Sequence, residues 1–233
     1  MELFVTKVFD SLNQKRFTAL LHALDQEKQS TIRSITNPHV ARIYLTSALL
    51  ARFIIRRMTG LRNDEIIFEK NAYDKPILKG YADVHFNMSH SGDWIVGAID
   101  STAIGIDIEK RDTIHSHKFP LDMLSHQEKL HYDTLTADEK ICYFYTVWTA
   151  KESYLKASGV GMNAELKNFS MTPESDPSYF IITNTDAPEE MANYHIKVYQ
   201  ELKSYALAVC AQGKNFPHRI NRVDEGDIIC PIS

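Results

Sequence analysis

The chain has 233 residues, 44% hydrophobic and 24% charged, with a net charge of −4. That length and balance allow one large or two small globular domains and exclude fibrous and disordered classes. No apolar run reaches the roughly 18 to 20 residues that span a bilayer, and the start of the chain has no signal-peptide pattern, so a cytoplasmic protein with no membrane attachment is expected.

In chain order, the first strong element is residues 39–58, HVARIYLTSALLARFIIRRM. Val40, Ile43, Tyr44, Ser47, Leu50, Ala51, Ile54 and Ile55 recur at helical spacing and Gly60 follows as a stop, which predicts an amphipathic helix. Strands are predicted at 84–88, 94–100 and 103–108. The connection IDSTAIG between the last two reads as a tight hairpin turn. A second helix is predicted over 137–158, with Ile141, Phe144, Tyr145, Trp148 and Leu155 as its apolar stripe and Gly159 as its end. Strands follow at 179–183, 195–199 and 205–210, and MTPESDPS and NTDAPEEMAN read as polar loops. The order of helix, strands, helix, strands, with the halves meeting near residues 100 to 110, predicts an α+β protein of two similar lobes.

Charge is unevenly placed. Residues 1–80 hold 13 Lys and Arg against 8 Asp and Glu, a surplus of +5, and the rest holds 13 against 22, or −9. Such a split suits a polyanionic ligand on one side and a cation on the other, although two ordinary surface faces would read the same way. Cys142, Cys210 and Cys230 show no CxxC spacing, and Cys142 and Cys210 read as small buried hydrophobes. His115 and His117 belong to no HExxH motif, which speaks against zinc.

Three stretches carry chemistry. In IGIDIEK (104–110), residues two apart share a strand face, so Gly105, Asp107 and Glu109 line one side and Ile104, Ile106 and Ile108 the other. Carboxylates about 7 Å apart on one strand face can converge on a hard cation, with Gly105 leaving room beside them. A hairpin strand with one wet face explains the same pattern without a function. In VWTAKESYLK, Glu152 lies four residues from both Trp148 and Lys156, flanking a stripe that must be buried. It is either a surface ion pair with Lys156 or a third oxygen donor for Mg²⁺ at a phosphoryl site. HFNMSHSGDW (85–94) offers hydroxyls, an imidazole and turn N–H groups as an anion cradle, or simply an ordinary turn.

Together, FNMSHSGDW, IGIDIEK and FYTVWTAKESYLKASGVGM, in this order and over nearly the full length, resemble the Sfp-type 4′-phosphopantetheinyl transferases. The resemblance implies two pseudo-duplicated α+β lobes, each a long helix on a small antiparallel sheet. Residues 1–102 would form a basic lobe on the nucleotide side, and residues 103–233 would carry the metal carboxylates and the carrier-protein side. The implied reaction moves the phosphopantetheine arm of coenzyme A to a serine of an apo peptidyl or acyl carrier protein and releases 3′,5′-ADP. Asp107, Glu109 and Glu152 match the family's Mg²⁺ ligands, with Mn²⁺ as a substitute. Lys156 matches its pyrophosphate lysine, and Ser89 with His90 its phosphate-contacting pair. Lys75 and Pro76 match the adenine side, Lys28 and Arg42 the basic residues near the 3′-phosphate, and Lys151 joins the coenzyme A contacts. Glu152 or Glu128, or a water on the metal, would take the serine proton.

Two departures stand out. The family's YGKP is YDKP here, placing the negative Asp74 beside the expected nucleotide, and Thr31 stands where a second basic residue often follows Lys28. The resemblance also implies a monomer, no nucleic-acid partner, and a carrier docking surface at about residues 158–190. Two rival readings are a Mg²⁺-dependent phosphate hydrolase on the same carboxylates, which lacks a P-loop or kinase signature, and a non-catalytic module that holds coenzyme A or a carrier.

Overall fold

The computed structural model describes residues 1–112, 119–159, 165–184 and 193–230. His115 and His117 lie outside them, as does most of NTDAPEEMAN. The first half runs β1 (Glu2–Lys7), α1 (Gln14–Leu21), α2 (Gln26–Ser34), α3 (Pro38–Thr59), β2 (Phe68–Lys70), β3 (Pro76–Leu78), β4 (His85–Ser91) and β5 (Trp94–Asp100). The second runs β6 (Ile104–Lys110), α4 (His126–Thr134), α5 (Ala137–Ser158), β7 (Phe169–Pro173), β8 (Tyr179–Asn184), β9 (Tyr194–Tyr199), β10 (Tyr205–Gln212), β11 (Asn221–Arg222) and α6 (Glu225–Ile229).

Both long helices begin and stop for local reasons. At α3, Asn37 Oδ1 accepts the N–H groups of His39 and Val40, Pro38 opens the first turn, and Gly60 closes the helix at φ 75°. At α5, Thr136 and Glu139 form a capping box and Gly159 ends the helix at φ 73°.

The strands form a four-stranded sheet, β11-β1-β5-β4, a five-stranded sheet, β6-β10-β9-β8-β7, and the small β2-β3 hairpin. Helix α3 packs on the first sheet and α5 on the second. The inner faces of the two sheets pack on each other through Leu3, Val5, Val96, Ala98, Leu207 and Val209, together with Ile104, Ile106 and Ile108. The layers are thus helix, sheet, sheet, helix, a two-lobed α+β architecture whose lobes share one apolar seam.

The predicted IDSTAIG hairpin is absent. β5 pairs with β1 and β4, whereas β6 pairs with β10, so this connection passes the chain from one sheet to the other. Asp100 Oδ1 accepts the Ser101 N–H at 2.8 Å and Oδ2 accepts the Thr102 hydroxyl at 3.3 Å, bending the chain where the ladder ends. The stretch read as a loop from residue 171 opens inside β7, which spans Phe169–Pro173.

The function-free reading of IGIDIEK, a hairpin strand with one wet face, is also overturned, because Gly105 and Asp107 are buried along with the three isoleucines. Gly105 does not leave room for a cation. A Cβ there would lie 2.1 Å from the Ser153 carbonyl oxygen and 2.5 Å from the Ala157 nitrogen, so the glycine lets the backbone of α5 press directly onto β6. Gly105→Ala is expected to destabilise by about 2–3 kcal/mol, the upper range for overpacking, read as a lower urea midpoint at unchanged slope.

Candidate active site

β6 is the edge strand of its sheet. β10 satisfies one set of its backbone groups, and the other set faces β4 of the neighbouring sheet. Side chains of alternate β4 residues bridge that gap. Asn87 Oδ1 accepts the Ile106 N–H at 2.9 Å, and Ser91 Oγ accepts the Lys110 N–H at 2.9 Å. Ser89 Oγ donates to Asp107 Oδ1 at 2.9 Å, and Ser91 Oγ donates to Glu109 Oε2 at 2.9 Å.

Helix α5 closes the site from the other side. Lys156 Nζ donates to Asp107 Oδ1 at 2.6 Å and to Ser89 Oγ at 3.2 Å. The lysine that sequence spacing offered to Glu152 therefore pairs across to β6. Burial raises the carboxyls of Asp107, Glu109 and Glu152 above their ordinary values. Asp107 adds to the upward push on Glu109 and Glu152, and Glu152 adds to that on Glu109. Asp107 Oδ2 is buried with no hydrogen-bond partner among the described residues.

Three crowded, mutually repelling carboxyls, one with an unpartnered buried oxygen, make an oxygen-donor set that suits a hard divalent cation. Among the described residues, no three acidic, imidazole or thiol groups already stand together as a metal cage. His90 lies at the mouth, its ring 6.2 Å from that of Tyr44. Partial burial, then the Lys156 ammonium, hold its imidazole below the usual value against a weaker upward pull from Asp107.

From His90 a cleft of about 1230 Å³ runs through the first lobe between α2, α3 and the β2-β3 hairpin. Lys28, Thr31, Tyr44, Arg52, Lys70 and Pro76 line it, facing the acidic Asp25, Glu27, Asp64 and Glu69. Arg52 is committed within the fold, bonded to Asp25 Oδ2 at 3.2 Å and to the Asn63 carbonyl at 2.9 Å.

Two family models tile the chain: "4′-phosphopantetheinyl transferase, N-terminal" over residues 11–102, and the 4′-phosphopantetheinyl transferase superfamily over 103–210. The 4′-phosphopantetheinyl transferase Sfp of Bacillus subtilis (strain 168) is 33% identical over 221 residues, covering 94% of this chain and 95% of that protein. The chain belongs to the 4′-phosphopantetheinyl transferases. It is an enzyme that transfers the 4′-phosphopantetheinyl group. The transferase gsp of Aneurinibacillus migulanus is 29% identical, covering 87% of this chain and 84% of that protein.

Of the transferase residues expected from the sequence, the fold bonds Ser89, Asp107 and Lys156 to one another and brings His90, Glu109 and Glu152 within electrostatic reach of them. Lys28 and Pro76 line the cleft, but Arg42 and Lys75 are not among its lining residues. Arg42 Nη2 reaches the Leu12 carbonyl at 3.5 Å. Glu128 and Lys151 are brought to each other and not to the site. Lys151 is fully buried, 2.6 Å from Glu128 Oε2.

Asp74 is not among the residues that line the cleft, although it neighbours Lys70, which is. Its side chain is 89% exposed, 3.7 Å from Lys70, and its backbone sits at φ 60°. The left-handed turn explains why glycine suits this position, and aspartate is among the residues that tolerate it. Thr31 bonds back to the Glu27 carbonyl at 3.0 Å and adds no positive charge to the cleft. Sequence reasoning offered the Ser91 hydroxyl only as part of an anion cradle and passed over Asn87, so it missed both as bridges between β4 and β6. The available signal was the period-two run of short polar side chains, Asn87, Ser89, Ser91.

Lys75 ties the lobes together, its ammonium donating to the Ile104 and Lys156 carbonyls. Burial pulls its pKa down to about 8 from the usual 10.5. The folded value lies below the unfolded one, so the unfolded chain holds more protons between those values and stability rises with pH across that window. Urea midpoints are expected to climb from pH 8 to about 10.5. Lys75→Met should flatten part of that climb.

Proposed function

We propose that the transferase takes its group from coenzyme A and places it on a serine hydroxyl of an apo carrier protein, with Mg²⁺, releasing 3′,5′-ADP. The single observation that carries this reading is that His90, which lines the end of the cleft, lies within electrostatic reach of both Lys156 and Asp107. Residues 1–102 would hold the nucleotide half, with Lys28 and Pro76 in the cleft and Lys75 at the lobe junction. Residues 103–233 would hold the reacting phosphate and the carrier.

Asp107, Glu109 and Glu152 would hold the divalent cation, which when bound supplies charge neutralisation and orientation at the pyrophosphate. The chain's own groups do the remainder. Lys156 and Ser89 already share a hydrogen bond beside Asp107, so both can turn toward a phosphate oxygen, with His90 donating from the mouth. Glu152 is half-buried at the cluster and is the better placed acceptor for the serine proton. The serine oxygen then bonds to phosphorus as the anhydride bond breaks and 3′,5′-ADP leaves. Glu128 has both oxygens engaged, Oε2 by Lys151 and the Ser125 N–H and Oε1 by the Met171 N–H, which argues against it as that base. The docking stretch proposed at 158–190 includes 160–164 and 185–190, which lie outside the described residues.

The test is to incubate the protein with coenzyme A, Mg²⁺ and several apo carrier proteins and to follow intact mass. A gain of one phosphopantetheine group on a carrier, lost when the divalent cation is chelated, is the expected result. Release of phosphate or nucleotide with no carrier gain would instead mark a hydrolase. Binding of coenzyme A with neither outcome would mark a holding module.

A further inference from the structure

Ser91 stands in the seam without a part in the chemistry above. Its hydroxyl makes two bonds of opposite sense, accepting the Lys110 N–H at 2.9 Å and donating to Glu109 Oε2 at 2.9 Å. A hydroxyl has one proton, so with the backbone N–H taking a lone pair, that proton is aimed at the carboxylate. Glu109 is a partly buried acid crowded by Asp107 and Glu152, and the Ser91 hydroxyl is a hydrogen bond that favours its charged form. β4 and β6 belong to different sheets, so no backbone ladder sets the height of Glu109 against Ser89 and His90.

We infer that Ser91 is a positioning residue that presents the Glu109 carboxylate to the divalent cation, coupling the register of β4 to the acidic face of β6. This rests on the metal-holding role proposed for Asp107, Glu109 and Glu152. Asn87 supplies the internal comparison, since it bridges the same two strands by accepting the Ile106 N–H but, among the described residues, has no hydrogen bond to a carboxylate. Loss of either side chain removes one bridge between the sheets. Only loss of Ser91 also releases a carboxylate.

The experiment follows Mn²⁺ binding by electron paramagnetic resonance, with and without coenzyme A, in the unaltered protein and in Ser91→Ala, Ser91→Thr and Asn87→Ala, alongside urea unfolding of each. Ser91→Ala should bind the cation about tenfold more weakly, the usual scale for loss of a group that orients a metal ligand, and Ser91→Thr should restore it. Asn87→Ala should lose comparable stability yet bind as the unaltered protein does. Equal binding by Ser91→Ala and the unaltered protein, or equal weakening in Asn87→Ala, would overturn the assignment while leaving the metal site standing. No Mn²⁺ binding by the unaltered protein would remove the metal reading, and this inference with it.

Discussion

Asp107→Ala is expected to lower carrier modification by about a thousandfold, the scale seen when a group that stabilises transition-state charge is removed, with the fold retained. Asp107 joins every part of the site: it bonds Ser89 and Lys156 through Oδ1, leaves Oδ2 unpartnered, and adds to the upward push on the carboxyls of Glu109 and Glu152. Its side chain is nearly inaccessible, and desolvation raises its own carboxyl despite the Lys156 contact.

An acid whose folded pKa lies above its unfolded value contributes stability below the unfolded value and loses it as pH rises through the folded one. At neutral pH the Asp107 charge is therefore a net cost to the empty protein, so Asp107→Ala should melt no lower than the unaltered protein and Asp107→Asn slightly higher. Intact-mass assay of a carrier and a thermal melt check both halves. Full transfer by Asp107→Ala at ordinary Mg²⁺ would show that the cation is held elsewhere.

The largest expected effect on stability belongs to Glu128. Glu128→Ala should destabilise by about 3–5 kcal/mol, because it leaves the fully buried Lys151 ammonium without its counter-charge. For a chain of this size that is a drop in melting temperature of roughly 10 °C. The pair is also a hub for backbone groups. Lys151 Nζ donates to the Met123 carbonyl at 3.0 Å and the Leu166 carbonyl at 2.8 Å, while Glu128 accepts the Ser125 and Met171 N–H groups at 2.7 and 2.8 Å.

An apolar pair would strand those four backbone groups, so a Glu128→Leu, Lys151→Met double variant should cost about as much as one single change and not recover stability. Urea unfolding of the two singles and the double gives the comparison. Glu128→Gln separates structure from catalysis, since an amide can keep part of the network. A Glu128→Gln protein that stays folded but loses transfer a hundredfold would restore Glu128 as the base.

The pieces whose causes are local could be read from the chain before any folding. The 137–158 helix was readable from its apolar stripe and its Gly159 stop, and the Thr136–Glu139 capping box supplies the local reason for its start. The strands at 94–100 and 205–212 were readable, at least in their cores, from β-rich runs. The alternation of IGIDIEK put the isoleucines on one face and the carboxylates on the other, and that division holds. The three motifs, being short and contiguous, were enough to name Ser89, Asp107 and Lys156, which the fold bonds to one another.

Which partner each of those residues meets depends on packing between distant elements. β5 and β6 looked like a hairpin because their connection is short, but edge pairing depends on β1 and β10, which lie about a hundred residues away from one of the two strands in each case. Lys156 had Glu152 at an attractive helical spacing and went to Asp107 because α5 lies directly on Gly105. Lys151, adjacent to Glu152 in sequence, points about 100° around the helix from it and into the core with Glu128. Periodicity and caps act within a few residues of chain. The distances that make a site are set by packing between elements far apart in sequence, where a glycine's missing side chain or a serine's single proton fixes what faces what.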